Sequence, residues 1–200
     1  MTTDEEHVEA MKKLKTEQRE KRLASKKLDR GLILVHTGNG KGKSSSAFGV
    51  IVRALGWGHQ VGLVQYIKGT WKTGERNFFD QFRDSLTWHT MGEGFTWETQ
   101  DRQRDIEAAK AALKTSAELL QSGDFDLVVL DEINIVLRYD YLAMEEVLDV
   151  LASRADRTSV ILTGRDARPE LIEAADLVTE MKEIKHPYQQ GIKAKQGIDF

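Results

Sequence analysis

Apolar positions along this chain fall into two patterns, short continuous runs and longer stretches in which they return every three or four residues. The runs at Leu32 to Val35, Val61 to Ile67, Leu86 to Met91, Leu127 to Leu130 and Ser159 to Thr163 predict strands, and a shorter one lies around Leu177 to Glu180. Val61 to Ile67 is apolar on both faces, as a parallel strand covered by helices must be. Helical spacing from about Ser44 to Leu55 is closed by Gly56 and Gly58. From Glu98 to about Gln121 it sets Ile106, Ala109, Leu113, Ala117 and Leu120 on one face and ends at Gly123. Further helices are predicted at Glu75 to Phe82, Met144 to Arg154 and Pro169 to Ala175, while Lys185 to Phe200 has little periodicity. Strands alternating with helices through short connections predict an α/β fold, an open parallel sheet with helices on both faces.

Residues 1–30 depart from this pattern. They are acidic at first (Asp4, Glu5, Glu6, Glu9) and then mostly basic, and Val8, Met11 and Leu14 give only a thin apolar stripe. A charged N-terminal helix is predicted, either a solvated arm or a lid that orders over a ligand or a partner subunit, with a nucleic-acid arm a third option that the acidic start weakens. Residues 31–200 are then expected to form one domain, a size that 200 residues at 40% hydrophobic content support.

Charge and cysteine content narrow the functions available. A formal net charge of -3 argues against an electrostatic grip on nucleic acid by the whole protein. Cysteine is absent, so thiolate chemistry and Cys-ligated metal centres are excluded, and any electron must come from outside. The first residues lack a signal-peptide core and no run approaches a membrane span, so a cytoplasmic protein with no membrane partner is expected.

The chemistry centres on Gly31 to Gly49. An apolar run, alternating glycines, Lys43-Ser44 and a helical segment make a strand, a phosphate loop and a helix, as in phosphate-loop NTPases. Glycines let backbone amides turn toward an anion, and the helix start adds open N–H donors and its dipole. Thr37, Gly38, Asn39, Gly40, Lys41, Gly42, Lys43, Ser44 and Ser45 are the expected phosphate-binding residues, with Ser44 able to hold Mg2+. In the pattern G-x-x-x-x-G-K-[ST] the first glycine falls at position 37, where this chain has Thr37; glycine arrives one residue late, at Gly38.

Asp131-Glu132, after an apolar strand, is the expected acidic half of the site. Adjacent strand residues face opposite ways, so one carboxylate is expected at the metal, and Glu132 is the choice, with Asp131 oriented beside it. The pair could also merely open the next helix. Phe95 and Trp97 share a face of an extended loop, fit either to wall an apolar cofactor or to pack on the core. Arg165, after a strand end, and Lys41, within the loop, are placed to reach a triphosphate, although arginines at strand ends are as commonly solvated. His36, His89 and His186 show no metal-ligand spacing, and the missing Asn-Lys-x-Asp run points to ATP over GTP. The residues alone leave open a kinase or ATPase acting on the γ-phosphate and a non-catalytic nucleotide sensor.

Six segments in order resemble the phosphate-loop ATP:cob(I)alamin adenosyltransferases. They are Thr37 to Ser44, Gln65 to Trp71 with Gly74 to Asn77, Gly94 to Gln100, Val128 to Glu132, Thr163 to Arg165 and Gly191 to Phe200. The resemblance implies transfer of the 5′-deoxyadenosyl group of ATP to the cobalt of cob(I)alamin, with triphosphate leaving intact, in adenosylcobalamin biosynthesis or salvage. It implies that Lys41 and Lys43 stabilise the departing triphosphate with help from Arg165, and that Ser44 and Glu132 hold magnesium. It implies that Phe95 and Trp97 displace the lower ligand of the corrinoid, easing reduction to cob(I). A reduced flavoprotein or flavin as electron donor and a homodimer, with the N-terminal helix as a lid, follow from the same resemblance.

Overall fold

The run after Gly31 forms β1 (Ile33–Thr37), and it lies inside a six-stranded sheet of order β3-β2-β4-β5-β1-β6, parallel throughout. The computed structural model describes residues 4–25, 29–67, 73–91 and 101–199. The other strands are β2 (Val61–Gln65), β3 (Leu86–Thr90), β4 (Leu127–Asp131), β5 (Ser159–Thr163) and β6 (Leu177–Glu180). Helix α1 (Asp4–Ala24) precedes the sheet, and α2 (Lys43–Gly56), α3 (Gly74–Phe79), α4 (Arg102–Gln121), α5 (Ile133–Arg138), α6 (Met144–Ala152) and α7 (Pro169–Ala174) connect its strands.

The alternation of a pleated strand sorts the apolar residues into two layers. Val64, Val128, Leu130, Val160 and Leu162 join a core with Ala112 and Leu120 of α4, Val136 of α5, Val147 of α6 and Leu171 of α7. Leu63, Leu127, Val129 and Ile161 point the other way, onto Ala47, Phe48 and Ile51 of α2 and Phe79 of α3. Helices on both faces, as the sequence predicts, are therefore a direct product of which side each strand residue takes. The expected short helix over Glu75 to Phe82 is instead α3 followed by a 3-10 turn at Asp80–Phe82, and α6 stops at Ala152, two residues before the predicted end. A further helix, α5, follows the acidic pair directly.

Parallel register brings the strand ends level at one edge. Gln65 lies opposite Asp131, Leu130 opposite Leu162, and His36 opposite Thr163, so the residues that follow β1, β2, β4 and β5 converge there. This is the carboxyl edge at which open α/β sheets bind ligands. Helix α1 has its described side chains exposed, including Val8, Met11 and Leu14.

Candidate active site

Between the ends of these strands lies a cleft of about 440 Å³. It is lined from the phosphate loop by Lys41, Gly42, Lys43, Ser44 and Ser45, and from the strand ends by Gln65, Asp131, Glu132 and Arg165. Phe48, Ile67, Ile135 and Ile198 add apolar wall, and Thr73 and Glu75 close one side.

The loop owes its shape to what lies behind it. Gly38 has φ +95°, and a Cβ there would meet the Met181 carbonyl oxygen at 2.4 Å. Gly40 N–H donates to that same oxygen at 2.7 Å. The late glycine is thus required where the loop presses on the chain leaving β6. Thr37, at the position of the usual first glycine, is still a strand residue: its N–H···O ladder belongs to β1, and its Oγ1 accepts from Ala167 N–H at 3.0 Å. Of the nine expected phosphate-binding residues, Thr37, Gly38, Asn39 and Gly40 shape the loop from outside the cleft, and Lys41 to Ser45 face it.

Gly42, at φ 108°, is the N-cap of α2 and has no side chain to cap it. The first amides of a 14-residue helix are therefore left open to the cleft, the arrangement that receives an anion. Lys43 is buried, its Nζ donates to Gly40 O at 2.6 Å, and burial pulls its pKa down, with Glu132 opposing and Arg165 and Lys41 adding to the fall. His36 is buried beneath this turn, with Nδ1 3.3 Å from Lys43 O, a packing role that agrees with its lack of ligand spacing.

The acidic pair departs from the extended geometry expected of it. Asp131 ends β4, but Glu132 has φ 63°, in the left-handed region, so the two carboxylates do not alternate and both line the same cleft. Asp131 is fully engaged: it accepts from Thr163 Oγ1–H at 2.8 Å, from Gln65 Nε2–H at 3.4 Å and from the Ser44 hydroxyl. Burial nevertheless pushes its pKa up. Glu132 Oε2 is buried with no hydrogen-bond partner, and desolvation, then the Asp131 charge, lift this carboxyl to about 7 against the pull of Lys43 and Arg165. Glu132 occupies the cap position of α5 but makes no side-chain cap bond, so opening that helix does not account for it.

Two contributors carried no assigned role in the sequence. Thr163 Oγ1 accepts from Glu132 N–H at 2.9 Å while donating to Asp131, so one hydroxyl fixes both acidic residues. Gln65 supports Asp131 from the neighbouring strand. Their signals were position, a polar residue ending an apolar run, and a place in the segments Gln65 to Trp71 and Thr163 to Arg165. Phe95 and Trp97 lie outside the described residues. Among the described residues no group of three or more His, Cys, Asp and Glu side chains could hold a metal ion, and no helix is long and apolar enough to cross a membrane.

Residues 29–200 match the family model described as ATP:corrinoid adenosyltransferase BtuR/CobO/CobP. The chain belongs to that family. A corrinoid adenosyltransferase from Pseudomonas aeruginosa is 53% identical over 98% of this chain and 97% of its own. One from Sinorhizobium is 49% identical over 98% and 92%, and CobA of Salmonella typhimurium is 41% identical over 99% and 100%. Membership in the corrinoid adenosyltransferases thus covers the whole cleft, from Lys41 to Asp199.

Proposed function

We propose that this enzyme transfers the 5′-deoxyadenosyl group of ATP to the cobalt of cob(I)alamin or a related reduced corrinoid and releases triphosphate whole. The observation that carries the reading is near full-length membership in a family of ATP:corrinoid adenosyltransferases. The cleft supports it with a set of donors suited to a departing polyanion. As the cobalt–carbon bond forms at ribose C5′, the C5′–oxygen bond breaks and its electron pair leaves with the triphosphate. Lys43, Lys41, Arg165 and the open amides of α2 receive that charge.

A hard divalent cation fits the acidic end. Ser44 Oγ and the orphaned Glu132 Oε2 would hold Mg2+, with Asp131 orienting the Ser44 hydroxyl, and phosphate oxygens would complete an all-oxygen shell. Bound there, Mg2+ supplies neutralising charge to the polyphosphate. In the same reading Phe95 and Trp97 wall the corrinoid and displace its lower ligand, and a reduced flavin or flavoprotein delivers the electron from outside. α1 serves as a lid over the partner subunit of a cytoplasmic homodimer.

A second reading rests on Glu132. A carboxyl raised to about 7 is poised to act as a base on water, which would favour attack at the γ-phosphorus. The products separate the two. With ATP, Mg2+ and chemically reduced cob(I)alamin, the transferase yields adenosylcobalamin and triphosphate in equal amounts; ADP and inorganic phosphate in their place would overturn it.

A further inference from the structure

Lys41 is the exposed cation of the phosphate loop, and it already has an anion. Its Nζ lies 2.7 Å from Asp199 Oδ1. The other Asp199 oxygen accepts from Lys195 N–H at 2.8 Å, and Asp199 N–H and Ile198 N–H return to Lys195 O at 2.8 and 3.1 Å. Residues 195–199 are thereby wound into a tight turn, and Ile198 lines the cleft although it is 76% exposed. The same segment begins where Met181 O accepts from Gly40 N–H. Residues 181–199 leave the loop at Gly40 and come back to it at Lys41.

A carboxylate at this point faces a conflict if the cleft takes a triphosphate, because it occupies a cation the polyanion needs and adds a like charge beside it. We propose that Asp199 is the resident counter-ion of Lys41, exchanged for phosphate when the polyphosphate arrives and re-formed when the product leaves. The inference rests on the triphosphate reading of the cleft. Lys41, followed by the Lys195 amide, holds the Asp199 carboxyl below its ordinary range, so it stays ionised at neutral pH and competes there. Lys41 is half exposed and Asp199 keeps partial access to solvent, which keeps the exchange shallow and reversible. Its effect is to weaken the grip on substrate and product alike, which favours release of a tightly held leaving group.

Asp199→Asn keeps an oxygen for the Lys195 amide and removes the competing charge. Inorganic tripolyphosphate titrated calorimetrically into the full chain at low salt should bind about two- to fivefold tighter to this variant than to the parent. The gain should vanish at about 0.5 M salt, where screening is short-ranged. It should also be absent in a Lys41→Met background, where there is no pair to break. In turnover, Asp199→Asn should lower KM for ATP and raise inhibition by added triphosphate. Equal or weaker binding by Asp199→Asn would overturn the exchange, and so would a gain that persists with Lys41→Met, which would make Asp199 a general repulsive charge. Failure of both proteins to bind tripolyphosphate would overturn the triphosphate reading itself, and this inference with it.

Discussion

Lys43 and Glu132 show how burial gives a side chain a task. Lys43 sits under the loop, its ammonium held by Gly40 O, and burial makes its charge costly until an anion joins it. Lys43→Ala should lower kcat by about 10²–10³, the usual cost of removing one preorganised donor from a developing anion, with a smaller change in corrinoid KM. Steady-state rates with cob(I)alamin check this, and near-parental kcat would contradict the assignment. Glu132 carries its cost in the other direction. Its folded-state pKa, about 7, is above the ordinary 4.5, so the folded protein holds this proton more tightly than the unfolded chain does. Stability from this group is present below pH 4.5 and is lost as pH rises to about 7, by about 3 kcal/mol. Glu132→Gln removes the penalty. Without nucleotide or divalent ions it should melt roughly 6–12 °C higher than the parent at about pH 8, and the two should converge toward pH 5. Turnover should fall in the same variant, so the stabilising change and the damaging one coincide. A lower melting temperature at pH 8 would show that the buried carboxylate is better solvated than its surroundings imply.

Among the elements, β6 is the least anchored support of the loop. All four of its residues are exposed, and among the described residues its only strand partner is β1. A bidentate bridge from Arg30 to Asp176 secures its entry, with Asp176 also accepting from Ile33 N–H at 2.9 Å; these contacts hold the Asp176 carboxyl down near 2. The bridge is partly exposed and contributes modestly. Yet Met181, just past β6, is what Gly38 and Gly40 rest against. Elements with few buried apolar contacts open before the global transition. On heating, activity should therefore decay several degrees below the midpoint of far-UV unfolding, and Asp176→Ala should widen that gap more than it shifts the midpoint. Coincident loss of activity and secondary structure would rule this out.

For the molecule as a whole, most of the fold was legible because burial on both faces leaves continuous apolar runs such as Leu127 to Leu130, and glycines such as Gly123 punctuate the helices between them. The phosphate loop was legible for a local reason too, since Gly42-Lys43-Ser44 sits between a strand and a helix start. What escaped depended on neighbours distant in sequence. The alternation argument for Asp131 and Glu132 assumed an extended chain, and the left-handed turn at Glu132 removes that assumption. Thr163, Gln65 and Asp199 become site residues only through register or a returning tail. The reason Gly38 stands one place late is the Met181 carbonyl, 143 residues further on (181 − 38). Sheet order carries the same dependence into the order of synthesis. Among the described residues β1 pairs only with β5 and β6, so this strand has no neighbour in the sheet until residues 159–180 have been made. Pairing over such separations is slow to close and leaves apolar edges uncovered meanwhile. The segment that begins the sheet is the last to be housed in it, so a chain cut short before β5 lacks both strands that hold the stem of the phosphate loop in place.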